Sequence, residues 1–252
     1  AKAGDICSFL PIAKRISDTD GEPVSWIVHK LFEPILRGVS YVKPIPVMFD
    51  LRRVDLAVKL AESLNPGRIW NAQSFGKHYR GPTNMPYNYL AWSQNGFGEH
   101  FHDVVGYPLV FDHRDAQREA SAVKQHLRED RPNLLLCLSC AKSASFAIHR
   151  IVTDSIRSKW SKHFHIVDLC ALRLPRLYDL VGLMEKSALL ITADTAPLHL
   201  ATAAPGMKVI ALVNDREFLG SECRYVPLSR IRYGDVLKQM GRIHADVASV
   251  LL

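Results

Sequence analysis

The sequence predicts an α/β protein built as two halves, each containing a parallel sheet covered by helices. Short apolar strands alternate with amphipathic helices along the chain, without internal repeats or low-complexity tracts. The 252 residues are enough for two domains of ordinary size. The segment 130–133, Asp-Arg-Pro-Asn, interrupts the alternation. We therefore expect domains at 1–131 and 132–252.

The first half begins with a helix whose apolar residues share one face and whose end is basic. A later helix ends at an Asn-Pro-Gly turn, and a long segment rich in glycine, proline and aromatic residues follows. Loops of this length inside a compact domain are usually functional. The predicted elements of this half are helices at 6–16, 30–37, 53–64, 87–94 and 115–129 and strands at 24–28, 42–45 and 68–72.

The second half opens with a strand that contains almost no polar residue, as expected for a parallel strand covered on both faces. Further apolar strands then alternate with amphipathic segments. The predicted elements of this half are strands at 134–138, 165–169, 188–193 and 208–213 and helices at 146–160, 177–186, 198–204, 233–240 and 244–252.

The composition favours an anionic partner, because the formal net charge is +7. The basic residues are dispersed, so the charge suits a nucleotide, a phosphorylated glycan or an anionic membrane surface without by itself establishing nucleic-acid binding. No apolar run is long enough for a membrane-spanning helix, and the first residues do not resemble a secretory signal. We therefore expect a cytoplasmic enzyme.

The spacing of cysteine and histidine does not predict a metal site. Cys137 and Cys140 are spaced C-x-x-C, but no second pair accompanies them, and Cys137 lies within an apolar strand. The segment 99–103, Glu-His-Phe-His-Asp, lacks the helical histidine spacing of a metal-binding face. We expect no bound metal.

The segment 189–201 is a buried strand, a polar turn and the start of a helix. A parallel strand delivers its turn to the carboxyl edge of the sheet, where ligands bind in open α/β folds. Asp194 or Thr195 can cap the helix, and Pro197 suits its first turn. The N–H groups there offer a seat for a pyrophosphate, with His199 just inside the helix. The alternative is that these residues only cap and pack the helix.

This stretch resembles the strand-Asp-Thr/Ser-Gly-x-x-His-Leu-Ala-Ala-Ala signature of glycosyltransferase family nine, the lipopolysaccharide heptosyltransferases and their relatives. The helix before it, 177–188, and the small-residue helix, glycine turn and strand after it, 201–213, are also similar to that family. The chain departs from the signature with Ala196, where the family usually has glycine. The resemblance implies the GT-B architecture, in which two Rossmann-like domains with parallel sheets face a central cleft.

The same resemblance implies an inverting, metal-independent transfer of a heptose-like or other hexose sugar from a nucleotide-diphosphate donor, with an ADP-sugar among the candidates. No separate cofactor is implied. In the family, a hydroxyl residue and a Lys or Arg follow the first strand of the donor domain. Ser139, Lys142 and Ser143 match that loop and are expected to bind the diphosphate opposite Asp194, Thr195, Ala196 and His199. The alternative for Lys142 is a solvated loop lysine.

At the amino terminus, Gly4-Asp5 before a helix resembles the Gly-Asp that follows the family's first strand. The matching aspartate is the family's proposed general base, so Asp5 is expected to deprotonate the acceptor hydroxyl. A helix cap is the alternative role. The family's first strand has no counterpart in the sequence before Gly4.

The first domain is expected to bind the acceptor through the long loop, with Gln73, Lys77 and His78 as contacts or, alternatively, as solvated residues. A lipopolysaccharide or other surface glycan or glycolipid is the expected acceptor, which suits an enzyme at the inner face of the membrane. Two other functions remain open. One is a GT-B enzyme acting on modified DNA bases, and the other is a non-catalytic nucleotide-sugar-binding protein.

Overall fold

A computed structural model describes residues 3–50, 54–64, 69, 109–138, 146–193, 195–213 and 227–252. The chain divides into two compact units. The first contains Ala1–Arg114 with Phe218–Arg224, and the second contains Asp115–Glu217 with Tyr225–Leu252.

The division precedes the helix at 116–126, which the sequence pattern had placed in the first domain. Glu119 on this helix is buried against Gly182, a residue of the second unit. A Cβ atom at Gly182 would lie 2.8 Å from the Glu119 Cβ atom, so the glycine permits a contact that a larger residue would block. This packing joins the helix to the second unit.

The described part of the first unit is built around two parallel strands and the helices beside them. Its described elements are α1 (Ala3–Asp20), β1 (Val24–His29), a 3-10 turn (Lys30–Phe32), α2 (Glu33–Leu36), β2 (Val42–Val47) and α3 (Val54–Ser63). The strands pair in register from Val24 opposite Val42 to His29 opposite Val47. Helix α1 buries Ile6, Leu10 and Ile16, which explains why apolar periodicity predicted it.

The second unit contains a five-stranded parallel sheet in the order β4-β3-β5-β6-β7. Its described strands are β3 (Asn133–Cys137), β4 (His165–Asp168), β5 (Leu189–Ala193), β6 (Val209–Val213) and β7 (Pro227–Arg232). Its described α-helices are α4 (Ala116–His126), α5 (Phe146–Trp160), α6 (Leu180–Glu185), α7 (Ala196–Leu200) and α8 (Met240–Ala248). Three 3-10 turns accompany them at Leu177–Asp179, Ala201–Ala203 and Tyr233–Asp235.

Most predicted elements of the described part occur in the structure, and the main correction concerns the carboxyl-terminal region. Strand β7 was not predicted, and the region predicted as helix 233–240 is a 3-10 turn followed by further turns. Helix α8 both begins and ends earlier in the chain than the predicted helix 244–252. The predicted helix 87–94 lies outside the described residues, as does the predicted strand 68–72 except for Ile69.

One apolar cluster of the second unit lies where α5 and α8 cover the sheet. Every residue of β3 and β5 is buried. Val152 and Ile156 of α5 and Ile243 and Val247 of α8 join the same apolar cluster as the strands. None of the helices in the described part of the chain combines the length and the hydropathy that crossing a membrane requires.

Polar contacts also join α5 to α8. The Trp160 indole N–H donates to His244 Nδ1 at 2.9 Å, and His244 Nε2 lies 3.0 Å from the Ser155 hydroxyl. Because an indole nitrogen can only donate, His244 Nδ1 must be unprotonated, and its ring proton resides on Nε2. Burial lowers the pKa of His244, and the nearby Lys159 charge adds to this effect. The contact therefore requires a neutral histidine.

We expect the stability of the second unit to fall as the pH drops below about 6.5, the ordinary pKa of histidine. The unfolded chain then takes up a proton that the folded chain binds less readily, so folding is favoured less. Urea midpoints measured between pH 7.5 and pH 5.5 test this. His244→Gln should make the midpoint less dependent on pH, whereas the exposed His113→Gln should not. An unchanged pH dependence in His244→Gln would contradict the assignment.

Candidate functional site

The carboxyl edge of the second unit's sheet is the candidate site. From β3 the chain passes through α5 to β4 on one side, and it later returns to β5 on the other side of β3. This reversal makes the junction of β3 and β5 the topological switch point, where open α/β sheets bind ligands. Cys137 lies opposite Thr192 in the pairing of the two strands. Both strands therefore end side by side.

Both segments that the sequence analysis assigned to the donor begin at this junction. The loop with Ser139, Lys142 and Ser143 directly follows β3, and Asp194 directly follows β5. These four side chains lie outside the described residues, so their detailed contacts remain predictions. Their chain positions nevertheless connect them to the ends of two adjacent strands.

Thr195 occupies the N-cap position of α7 but does not cap the helix through its side chain. Thr195 therefore does not form the predicted capping hydrogen bond. Its hydroxyl instead lies 3.2 Å from the Thr192 hydroxyl and 3.6 Å from Cys137 Sγ, and it donates to the Ala193 carbonyl at 3.3 Å. The Thr192 hydroxyl is in turn 3.3 Å from the Cys137 carbonyl. This network links the end of β5 to the end of β3.

The remaining described donor candidates lie on one side of the short helix α7. Ala196 and His199 are half-buried and one helical turn apart, whereas Leu198 and Leu200 are fully buried. Helix α7 has only five residues and continues as a 3-10 turn, in which Thr202 donates to the His199 carbonyl at 2.7 Å. The structure thus places Thr195, Ala196 and His199 at the same edge.

The Cys137 thiol at this edge has low reactivity. Burial raises its pKa, so the reactive thiolate form is disfavoured. The approach of the Thr195 and Thr192 hydroxyls only partly offsets that effect. Cys137 therefore acts as a small packed residue at the end of β3, in agreement with its apolar surroundings.

In the first unit, Asp5 lies half-buried in the first turn of α1. Phe9 packs edge-on against Trp26 of β1 at 5.1 Å, and Lys14 lies over the ring of Tyr41, just before β2. Helix α1 therefore runs antiparallel to the strands, with its beginning toward their carboxyl ends. Asp5 lies toward the edge at which this class of sheet binds ligands, and its role as a base stays a prediction. The predicted acceptor contacts Gln73, Lys77 and His78 lie outside the described residues.

One acidic residue at the donor edge was not singled out from the sequence. Asp168 ends β4, accepts a hydrogen bond from the Cys170 N–H at 3.0 Å and forms an ion pair with Arg157 at 3.6 Å. The sequence did contain one signal for this residue, which is a carboxylate at the end of an apolar strand. Without the strand order, nothing indicated that this strand lies next to β3.

Comparison with known proteins identifies the fold. No protein-family model matches the chain, and no curated protein matches it. The structure of the glycosyl transferase family 9 protein from Veillonella parvula is similar, with a TM-score of 0.60, 10% identity and coverage of 97% of this chain and 87% of that chain. The structure of the E. coli ADP-heptose LPS heptosyltransferase II is similar, with a TM-score of 0.62, 12% identity and coverage of 100% and 96%. This chain shares their fold, which confirms the predicted α/β fold class of the GT-B type.

Proposed function

We propose that this chain, which has the fold of those two proteins, is a glycosyltransferase that moves a sugar from a nucleotide-diphosphate donor to an acceptor hydroxyl. The observation that most supports this proposal is the junction of β3 and β5. There Thr195, Ala196 and His199 lie at the end of β5, directly beside the end of β3. A diphosphate suits this edge because it is where open α/β sheets present polar turns to ligands.

The donor site is proposed to form from the two segments that leave this junction. The proposed contacts are Ser139, Lys142 and Ser143 after β3 and Asp194, Thr195, Ala196 and His199 after β5. The ammonium of Lys142 and the hydroxyls would stabilise charge on the leaving diphosphate without a metal ion or a separate cofactor. The E. coli protein with this fold is an ADP-heptose LPS heptosyltransferase, so an ADP-sugar is the first donor to test.

The proposed chemistry is a single displacement at the anomeric carbon. Asp5 takes the proton of the acceptor hydroxyl while that oxygen attacks the carbon from the side opposite the diphosphate. One displacement inverts the anomeric configuration and needs no covalent sugar–enzyme intermediate. The half-buried position of Asp5 at the beginning of α1 supports this role, because the carboxylate remains reachable at the carboxyl edge of the first unit.

The acceptor is proposed to be a lipid-linked or other surface glycan, bound by the first unit through Gln73, Lys77 and His78. Support comes from the ends of β1 and β2, which meet at one edge. The residues Leu31 and Met48 there are 77% and 73% exposed, and Lys30 beside Leu31 is also exposed. Adjacent apolar and basic groups suit an amphiphilic acceptor or an anionic membrane surface at the inner face of the membrane.

A thermal-shift panel of ADP, GDP, CDP, UDP and their sugar conjugates tests the donor site. One diphosphate should raise the melting temperature, because a ligand that binds only the native state stabilises it. Lys142→Ala should weaken that shift, since it removes a cation from the diphosphate. Lys162→Ala, an exposed lysine in the turn after α5, is the matched control. The donor-site proposal is wrong if no compound raises the melting temperature.

Replacing the proposed base tests whether the protein is an enzyme. Asp5→Asn should lower turnover by about 100-fold or more, because the acceptor hydroxyl loses its base, while diphosphate binding stays unchanged. Product formation is measured by mass spectrometry beside the thermal shift. Asp18→Asn, on the same helix and paired with Lys14, is the control. Full activity in Asp5→Asn would favour a different base or a non-catalytic binding protein.

Vesicle sedimentation tests the membrane contact. The protein should sediment with vesicles containing anionic lipid, and the double variant Leu31→Ser, Met48→Ser should sediment less because less apolar surface enters the interface. Leu237→Ser removes an exposed leucine of the second unit and should have no effect. Equal sedimentation of the double variant and the unmodified protein would exclude this edge as the contact.

A further inference from the structure

Strand β5 carries a single polar side chain, and that side chain lies at its carboxyl end. The strand reads Leu-Leu-Ile-Thr-Ala over 189–193, and every residue of it is buried. Threonine differs from valine by one hydroxyl in place of a methyl group, and burying that hydroxyl costs free energy unless it finds partners. Packing alone therefore does not explain the hydroxyl of Thr192.

The Thr192 hydroxyl lies between the ends of β3 and β5. It is 2.9 Å from the carbonyl of Ala193, the last residue of β5, and 3.3 Å from the carbonyl of Cys137, the last residue of β3. A hydroxyl has one proton to donate, so the two carbonyls share it. Thr192 thus connects the two strand ends from which the proposed donor segments leave.

Thr195 turns its hydroxyl toward the same carbonyl. It donates to the Ala193 carbonyl at 3.3 Å and lies 3.2 Å from the Thr192 hydroxyl. A carbonyl oxygen has two lone pairs, so it accepts from both hydroxyls. The turn between Ala193 and Thr195 is therefore closed by a hydrogen bond between its two ends, and Thr192 supports that bond from within the sheet.

Burial separates the roles of the two threonines. Thr192 is fully buried and cannot touch a ligand, whereas Thr195 is half-buried at the candidate site. The Thr195 carbonyl accepts from the Leu198 N–H at 3.0 Å, which connects Thr195 to α7. A shift of Thr195 would consequently move the start of this short helix. Any effect of Thr192 on a ligand must pass through Thr195.

We propose that Thr192 is a positioning residue for the donor diphosphate, because it holds Thr195 and the turn after β5 in the arrangement that binds the ligand. This assignment rests on the proposed function. A site that is already ordered binds more tightly, since the ligand does not have to offset the cost of ordering it. Thr192 contacts neither donor nor acceptor and takes no part in the displacement.

Titration calorimetry with ADP, GDP, CDP and UDP tests the assignment. Thr192→Val removes the hydroxyl and keeps the branched shape, so it should weaken binding of the preferred diphosphate about tenfold, as expected for the loss of one buried hydrogen-bonding group. Thr192→Ser keeps the hydroxyl and loses a buried methyl group, so it should bind as the unmodified protein does while unfolding at a lower urea concentration. A purely structural role predicts instead that affinity follows stability in both variants.

A double variant tests whether the effect passes through Thr195. Thr195→Val should weaken diphosphate binding, because it removes the other hydroxyl of the pair. Adding Thr192→Val to it should cause little further loss, since residues that act through one contact do not have additive effects. Losses that multiply in the double variant would overturn the proposed path through Thr195.

Ser187→Ala is the matched control at the opposite end of β5. Ser187 is half-buried just before the strand, and its hydroxyl donates to the Leu183 carbonyl at 2.7 Å. This variant should lose stability and keep the affinity of the unmodified protein.

Unchanged affinity in Thr192→Val would overturn the assignment. If that variant does not fold, full affinity in Thr195→Val, or a loss of affinity in Thr192→Ser, would overturn it equally. If the unmodified protein binds no diphosphate, the proposed function fails and this assignment fails with it. Diphosphate binding that is insensitive to Thr192→Val refutes the assignment alone.

Discussion

The parallel pairing of β3 with β5 is the constraint on which the rest of the second unit depends. Both strands are buried along their whole length, so their backbone groups must be satisfied by each other and by the flanking strands. Polar chemistry is consequently confined to the points where the strands end. Because the strands are parallel neighbours, two turns separated by more than fifty residues meet at one edge.

Small side chains shape that edge. Thr192, Thr195 and Cys137 form a network that holds the two strand ends together. The Thr192 hydroxyl is fully buried and has acceptors within reach, as a buried polar group requires. Thr195 directs its hydroxyl back toward the sheet rather than along α7. The side of the short helix that faces the sheet is therefore held in place, while Ala196 and His199 lie on its accessible side.

Helices position candidate residues in both units. A helix that packs antiparallel to parallel strands has its beginning at the carboxyl edge, which is where α1 places Asp5. In the second unit, α5 reaches Asp168 at the end of β4 through Arg157. On the same helix, Trp160 and Ser155 tie α5 to the neutral His244 of α8. The helices that support the site are thus held by contacts that do not belong to it.

The sequence by itself determined the α/β class, most helices and strands, and the segment after β5 that carries the donor candidates. These features are local, since buried parallel strands are apolar runs and amphipathic helices show a regular period. Only the tertiary structure decided the rest. Strand β7 begins at a proline and carries Arg230 and Arg232, so its pairing with β6, not its composition, makes it a strand. The assignment of α4 to the second unit, the turned hydroxyl of Thr195 and the neighbourhood of Asp168 likewise depend on which distant residues pack together. The periodicity of the sequence does not indicate which distant residues make those contacts.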